Sequence, residues 1–289
     1  MRAGREPGTL IASYTTDAVE YLDRVGVFLR RRPVEHSVLL STAASRAGAS
    51  GRTTGPDLWL WVESDEEVVA TAQHTPPHGA YLSTGPAEAV RALSQALWRL
   101  RPGLPGVAGL EPGPREFAAE WARLGGSGAT PAMRMGLYAA DAVNIPSGVP
   151  GRLRPANNDD APVLRGWAEQ FFAESGATSS GRDEIGPRIE AGLLVVWEVE
   201  DVVMSMAATT AAQGGVNRVH LVYTPGQYRG RGFASACVAT LTARELAEPG
   251  RICMLFTDLA NPTSNGIYQR VGYSRIGDAV QLEFDTQEP

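Results

Sequence analysis

The segment LVYTPGQYRGRGFASACV (221–238) carries the strongest structural signal in this chain. An apolar run ends at Pro225 and an apolar, helix-forming stretch begins at Phe233, so the pattern predicts a strand, a Gly/Arg-rich loop and a helix. Gly230 and Gly232 lack a Cβ and let the backbone approach a ligand closely. The free N–H groups of the first helical turn, the helix dipole and the loop arginines favour an anion such as a pyrophosphate.

This loop alone leaves other interpretations open. The tetrapeptide RGRG (229–232) is also compatible with a plain turn or with an RNA-binding remnant. A Rossmann dinucleotide site is disfavoured, because Ser235 stands where a third glycine is needed and no acidic residue ends a strand about 20 residues later.

A second segment, LFTDLANPTSNGIYQRVGY (255–273), predicts a strand and then a short helix that carries Asn265 and Tyr268. Together the two segments resemble the GNAT superfamily of acyl-CoA-dependent N-acyltransferases. The superfamily's Q/R-x-x-G-x-G/A loop corresponds to residues 227–232, and its helical Asn and Tyr follow in the same order. The resemblance covers roughly Gly151–Phe284. It implies an α/β (α+β) fold in which a mixed, mostly antiparallel central sheet is flanked by helices.

Beyond these two segments, the whole chain contains two copies of one order of predicted strands and helices. The segment DLWLWVESDEEVVATA (57–72) matches GLLVVWEVEDVVMSMA (192–207) as two strands around an acidic turn. The terminal strands MRMGLY (133–138) and VQLEFD (280–285) also correspond. We infer an internal duplication into two GNAT-like domains.

The Pro/Gly-rich stretch Asp141–Gly151 is the predicted linker. It separates a first domain, residues 1–145, from a second, catalytic domain, residues 151–289.

Hydrophobic periodicity predicts the elements of each copy. Helices are expected in the first copy over residues 17–32, 34–47, 86–100 and 115–124, with strands over 58–63, 68–75, 80–83, 107–110 and 133–138. Helices are expected in the second copy over residues 161–172, 183–191, 233–246 and 263–271, with strands over 151–155, 193–199, 202–208, 216–224, 252–257 and 279–284.

The first copy lacks the loop. GP (85–86) stands where the second copy has PGQYRGRGFAS (225–235), and the short helix PREFAAEWARLG (114–125) has no Asn/Tyr pair. We expect the first copy to be degenerate, to pack on the catalytic copy and to wall the acceptor site.

The resemblance implies an acetyl-CoA site in the second copy. Its members would be Leu221, Val222, Tyr223, Thr224, Gln227, Arg229, Gly230, Arg231, Gly232, Phe233, Ala234, Ser235, Asn261, Asn265 and Tyr268. In the family, two neighbouring strands separate into a cleft that takes the pantetheine arm. Backbone groups of Val222 and Thr224 would pair with this arm, N–H groups of residues 229–234 would hold the pyrophosphate, and Asn261 and Asn265 would reach the amides.

Tyr268 is the implied catalytic residue. Its phenol would protonate the thiolate that leaves when an amine attacks the thioester, and the Val222 N–H would stabilise the oxyanion. The plainer alternatives are a half-buried helix aromatic for Tyr268 and an ordinary polar helix residue for Asn265.

The general base stays unassigned. His220 has a suitable ordinary pKa, although a structural role is the commoner one for such a histidine. Strand alternation predicts that His220 and Val222 share one face, with Leu221 and Tyr223 on the other. Glu198 and Glu169 are further options.

Composition excludes several chemistries. All 26 Lys or Arg residues are arginines, so a P-loop, a Schiff-base lysine and a protein-kinase site are ruled out. A net charge of −6 disfavours nucleic acid as a partner. The four histidines, His36, His74, His78 and His220, lack metal-ligand spacing, so no metal is expected.

We expect a cytoplasmic protein that is a monomer or a homodimer. Only Cys237 and Cys253 occur, too few for a disulfide framework, and no apolar run is long enough to span a membrane. Acidic residues of the second copy, such as those in 183–190, could attract a cationic amine. The predicted function is N-acetyl transfer from acetyl-CoA to a small primary amine; the alternative is a non-catalytic acyl-CoA-binding regulatory module.

Overall fold

The structure is a computed structural model that describes residues 9–48, 57–176 and 185–285. The chain forms two compact units. The first unit comprises residues 1–135 and 277–289, and the second unit comprises residues 136–276.

Strands and helices alternate along the chain much as predicted. The strands are β1 (Ile11–Thr15), β2 (Leu58–Ser64), β3 (Glu67–His74), β4 (Ala80–Leu82), β5 (Gly106–Leu110), β6 (Ala129–Ala140), β7 (Arg152–Pro155), β8 (Leu194–Val199), β9 (Val202–Thr209), β10 (Val216–Tyr223), β11 (Ile252–Asp258) and β12 (Ser274–Phe284). The helices are α1 (Ala18–Arg30), α2 (Ser37–Gly48), α3 (Ala87–Leu100), α4 (Gly113–Arg123), α5 (Ala161–Ser175), α6 (Ile185–Glu190), α7 (Phe233–Leu246) and α8 (Pro262–Val271). A short 3-10 turn covers Gly226–Tyr228.

In the first unit the sheet order is β1-β2-β3-β4-β5-β12, with β4 and β5 parallel and the other pairs antiparallel. Its larger core lies between the sheet and helices α3 and α4 and includes Phe117, Trp121 and Leu282. A second core, around Tyr21 and Trp59, lies on the side of α1 and α2.

In the second unit the order is β6-β11-β10-β9-β8-β7, with β10 and β11 parallel. One core, which contains Val219 and Phe233, packs α7 and α8 on the sheet. The other, which contains Trp167 and Tyr223, packs α5 and α6. A mixed, mostly antiparallel sheet flanked by helices is thus present, and the predicted fold class is confirmed.

The terminal strand of each sequence copy contributes to the unit built mainly from the other copy. Tyr138 and Ala140 of β6 are buried in the core of the second unit, whereas Val280 and Leu282 of β12 are buried in the core of the first. The domain prediction followed chain order and assigned both strands to their own copies. The two strands have the same apolar pattern, so a linear sequence does not reveal which core each strand enters.

Smaller differences concern edges and ends. Strand β1 was not predicted; it is an edge strand whose Ile11 and Tyr14 are exposed, so it lacks a buried apolar alternation. The predicted helix over 34–47 begins only at Ser37. Of the predicted helix over 183–191, residues 185–190 are helical, and residues 183 and 184 lie outside the described residues.

Candidate functional site

Strands β10 and β11 separate from each other along their length. Their parallel pairing begins at Val216 with Ile252 and ends at Arg218 with Met254. Strand β10 nevertheless continues to Tyr223 and β11 to Asp258. A wedge-shaped opening therefore lies between their carboxyl ends, with main-chain groups on its sides.

A β-bulge bends β10 at the point where the opening widens. Its register with β9 passes from His220 opposite Ala208 to Tyr223 opposite Met206, so Leu221 and Val222 together face one residue of β9. Leu221 has φ +51°, in the left-handed region that non-glycine residues rarely adopt. Such bulges turn a strand and increase its local twist.

The bulge also changes which side chains share a face. Leu221 and Tyr223 lie in the core beside α5, while Val222 packs on the core beside α7. His220 lies opposite Ala208, which belongs to the α5 side. The prediction that His220 and Val222 share a face is therefore wrong, because the extra residue interrupts the alternation.

The Gly/Arg-rich loop leads into α7 through two left-handed glycines. Gly230 has φ +76°, and Gly232, the N-cap residue, has φ +83°. A Cβ on Gly232 would lie 3.1 Å from Val149 Cγ2. Among the residues that the structure describes, no side chain caps the helix, and the Ala236 N–H bonds back to Gly232 O. The N–H groups of the first turn, residues 233–235, thus remain without helical partners.

The arginines of the loop differ in their surroundings. Arg229 donates from Nε to Thr224 O (2.8 Å) and from Nη2 to Glu174 Oε2 (2.5 Å), and its main-chain N–H donates to Gly226 O (3.3 Å). Arg231 is exposed, with Cζ 4.9 Å from the centre of the Phe233 ring.

The other predicted loop residues divide into exposed and buried ones. Gln227 is exposed, and Ala234 and Ser235 are half-buried. Thr224 is buried, its hydroxyl donates to Ser205 Oγ (2.8 Å), and its main-chain oxygen is the acceptor of the Arg229 hydrogen bond.

At the start of α8, the two predicted asparagines bond to the protein itself. Asn261 is the N-cap, and its Oδ1 accepts a hydrogen bond from the Ser264 N–H (3.0 Å). The Asn265 amide donates to Asp258 O (2.8 Å) and to Asn261 O (2.7 Å). Asn265 therefore fixes α8 to the end of β11, and its Oδ1 is the atom left to accept further hydrogen bonds.

Tyr138 of β6 is a residue of this site that sequence reasoning missed. Its hydroxyl donates to Asn265 Oδ1 over 3.2 Å. A Cβ on Gly136 would lie 2.6 Å from the Tyr138 ring and 3.2 Å from Leu259, so only glycine leaves room for the ring. The one available signal was this glycine inside a strand, which often marks a close approach.

Tyr268 lies one helical turn beyond Asn265. It is buried in the core with Phe233, and its ring meets that of Tyr273 edge-on at 6.0 Å. Burial raises the pKa of Tyr268 to about 12. The phenol is therefore protonated at neutral pH, as a proton donor must be; the same burial fits a structural aromatic.

None of the three candidate bases is clearly suited to the role. Burial, and then the charges of Arg218 and Arg188, hold the pKa of His220 well below its ordinary value. Hydrogen bonds from Arg154 and Arg152 lower the pKa of Glu198, which is engaged in these ion pairs on β8. Glu169 is exposed on α5.

The first unit has no bulge at the corresponding place. Leu82 of β4 lies opposite Ala72 of β3, and the next residue, Ser83, donates from its N–H to Thr71 O (2.9 Å). Here one residue occupies the position of the Leu221–Val222 pair, so β4 keeps its register.

The cleft of the first unit is correspondingly closed. A Cβ on Gly109 of β5 would lie 3.1 Å from Leu82 O and 3.3 Å from Leu82 Cβ, so the two strands stay in contact. A Cβ on Gly85, just before α3, would lie 2.7 Å from Val69 O. Main chain therefore packs on main chain in the described part of the first unit, at the place that corresponds to the Gly/Arg-rich loop.

Within residues 9–48, 57–176 and 185–285, no group of three or more His, Cys, Asp or Glu side chains is arranged to hold a metal ion. No helix in this part of the chain combines the length and apolar character needed to cross a bilayer.

Solved structures share this architecture over nearly the whole chain. A GNAT-family acetyltransferase from Colwellia psychrerythraea is 13% identical with a TM-score of 0.60, and the match covers 96% of this chain and 100% of that one. A GCN5-related N-acetyltransferase from Sphaerobacter thermophilus is 16% identical, also with a TM-score of 0.60, over 95% of both chains. A tandem GNAT protein from the clavulanic acid biosynthesis pathway is 14% identical with a TM-score of 0.55, over 97% of this chain and 100% of its own.

These similarities identify the fold as that of the GNAT superfamily, in a tandem arrangement. More particularly, residues 199–282 match the family described as FR47-like protein, and this segment contains the bulge, the loop and α8. No curated protein matches the chain significantly.

Proposed function

We propose that the second unit is an acyltransferase that moves an acetyl group from acetyl-CoA to a primary amine. The observation that carries the proposal is the opening between β10 and β11, which lies beside the uncapped first turn of α7. The first unit has the same order of elements, but its strands β4 and β5 stay in contact and leave no such opening there, so the chain is expected to have one such site.

The residues present fit acetyl-CoA. An extended pantetheine arm can pair with the main chain of β10 near Val222, where pairing with β11 has ended. The main-chain N–H groups after Gly232 suit a pyrophosphate, because they combine free donors with the positive end of the helix dipole. The cosubstrate supplies an activated acyl group as a thioester.

The two faces of β10 suggest separate roles in the transfer. Tyr268 and Val222 belong to the side of α7 and α8, where Tyr268 would donate a proton to the departing sulfur. The Val222 N–H would stabilise the oxyanion. His220 belongs to the α5 side, from which the amine would approach.

A non-catalytic acyl-CoA-binding module is the second candidate. The observation in its favour is that His220 and Glu198 both have lowered pKa values, which makes each a weak proton acceptor. An ordered water can serve as the base in its place, so this observation does not displace the first candidate.

Two measurements test the proposal. Titration calorimetry with CoA should give one site per chain; two sites would contradict the closed cleft of the first unit, and no binding would overturn the proposed function.

A thiol-release assay with acetyl-CoA and a panel of primary amines then separates the candidates. Release that depends on an amine supports the transferase, and CoA binding with no release for any amine supports the binding module.

A further inference from the structure

Three side chains contact one another where the Gly/Arg-rich loop follows β10. They are Glu174 in the last turn of α5, Tyr223 at the end of β10 and Arg229 in the loop. Glu174 Oε2 accepts a hydrogen bond from Arg229 Nη2 (2.5 Å), and Glu174 Oε1 accepts one from the Tyr223 hydroxyl (2.9 Å). A single carboxylate therefore joins a helix, a strand and the loop.

Arg229 makes two further contacts, a hydrogen bond and a cation–π contact. Its Nε donates to Thr224 O (2.8 Å), which closes the chain back on the end of β10. Its Cζ lies 5.5 Å from the centre of the Tyr223 ring, within the range of a cation–π contact. These contacts give the first half of the loop a defined place before any ligand arrives.

The ionisation states of Glu174 and Tyr223 are consistent with these hydrogen bonds. The hydrogen bond from Arg229, and with it the one from Tyr223, lowers the pKa of Glu174, so the carboxylate is ionised at neutral pH. Burial, followed by the neighbouring Glu174, raises the pKa of Tyr223, which keeps its phenol protonated and donating. The positive charge of Arg229 is thus paired with the negative charge of Glu174 within the protein.

We infer that Glu174 is a positioning residue for the cofactor loop, acting through Arg229 and Tyr223. This inference rests on the proposed function and names a residue that the loop signature does not contain. Glu174 preorganises residues 226–235 so that binding CoA costs less ordering of the chain.

Removing Glu174 distinguishes this role from direct phosphate binding by Arg229. If Arg229 were a phosphate ligand restrained by Glu174, then Glu174→Ala would free it and tighten CoA binding. If Glu174 positions the loop, then Glu174→Ala and Arg229→Ala should each weaken CoA binding about threefold to tenfold. The double variant should then bind CoA about as tightly as the more impaired of the two single variants, because both changes break the same set of contacts.

Calorimetry with CoA on the full chain measures these effects, and Glu245→Ala is the matched control. Glu245 is half-buried and pairs with Arg244 in the last turn of α7 (2.7 Å), so its loss removes an ion pair at the end of α7 opposite the loop. Glu174→Gln keeps an acceptor for Tyr223 and should recover part of the affinity. Tighter binding in Glu174→Ala, or single effects that multiply in the double variant, would overturn the inference.

Hydrogen exchange of the peptide that covers 226–235, measured without CoA, gives a second readout. Exchange there should be faster in Glu174→Ala than in the wild type and unchanged in Glu245→Ala. Equal exchange in wild type and Glu174→Ala would refute the positioning role. If the wild type did not bind CoA, the proposed function would fail, and the exchange comparison would still decide the role of Glu174.

Discussion

Tyr138 donates a hydrogen bond to Asn265 Oδ1 over 3.2 Å, although the two residues are 127 positions apart in the chain. The Asn265 amide in turn donates to the main chain of β11 and of α8. A strand that the sequence pattern assigns to the first copy therefore fixes the helix that carries Tyr268.

Tyr138→Phe should weaken CoA binding while leaving the fold intact. The ring still fits beside Gly136, but the Asn265 carbonyl loses its donor, which costs about 1 kcal/mol. We expect the Kd for CoA to rise about threefold to tenfold in calorimetry. Tyr14→Phe is the control, since Tyr14 is exposed on β1. An unchanged Kd with a lowered melting temperature would limit Tyr138 to a structural role.

Tyr268→Phe should lower kcat with little effect on the KM for acetyl-CoA. The ring still packs in the core, and only the proton donor is lost. General acid catalysis contributes about 10²–10⁴-fold, and the low end is expected here because a thiolate is a fairly stable leaving group. The measurement is steady-state kinetics with the best amine of the panel. An unchanged kcat with normal CoA binding would remove Tyr268 from the mechanism.

Gly232→Asp should abolish CoA binding. The backbone there has φ +83°, and the change places a Cβ and a negative charge at the N-terminus of α7, where an anion is expected. Gly250→Asp is the matched control, because Gly250 has a similar φ of +75° and lies beyond the opposite end of that helix. Calorimetry should show loss of binding in the first variant and normal binding in the second. Retained affinity in Gly232→Asp would argue against this anion site.

Asp160→Asn should destabilise the protein near neutral pH but not in acid. Asp160 accepts hydrogen bonds from Arg154 Nη1 and Nη2 (2.7 and 2.9 Å) and from the Asn157 N–H (2.8 Å). The bonds from Arg154, foremost among these causes, lower the pKa of Asp160 below its ordinary value of 3.8. Folded protein therefore binds this proton less tightly than the unfolded chain does. The stabilisation is fully present above about pH 5 and is lost as the pH falls through the folded-state pKa.

Denaturant unfolding of Asp160→Asn at several pH values checks this expectation. At pH 7 the free energy of unfolding should fall by about 1–3 kcal/mol, and the difference from the wild type should shrink as the pH is lowered below about 4. Asp159→Asn, at the exposed neighbouring position, should change little. A difference that does not depend on pH would show that the ionised carboxylate is not the source of the effect.

The sequence predicted the features of the site that depend on local residue types. Gly230 and Gly232 mark a loop because left-handed backbone favours glycine, and the run from Phe233 marks a helix through its composition. The bulge at Leu221 was not predicted, because a leucine at positive φ leaves no signal of its own. Its conformation is imposed by the surrounding strand pairing.

Contacts over long sequence separations were also beyond prediction. Glu174 lies beyond the end of the predicted helix over 161–172, and nothing near it in the sequence indicates Arg229, which is 55 positions away. The assignment of the terminal strands failed for the same reason, since MRMGLY and VQLEFD carry equivalent patterns. Local composition determines which elements form, whereas these partnerships depend on the assembled core.

The two sequence copies differ by one residue at the bulge. Two residues, Leu221 and Val222, stand where the other copy has Leu82 alone. An open and a closed cleft thus differ, at this point of the strand, by a single codon. With that one residue fewer, β4 keeps a regular ladder with β3 and stays in contact with β5. At this point of the fold, a regular β-ladder and an opening between the strands therefore exclude each other.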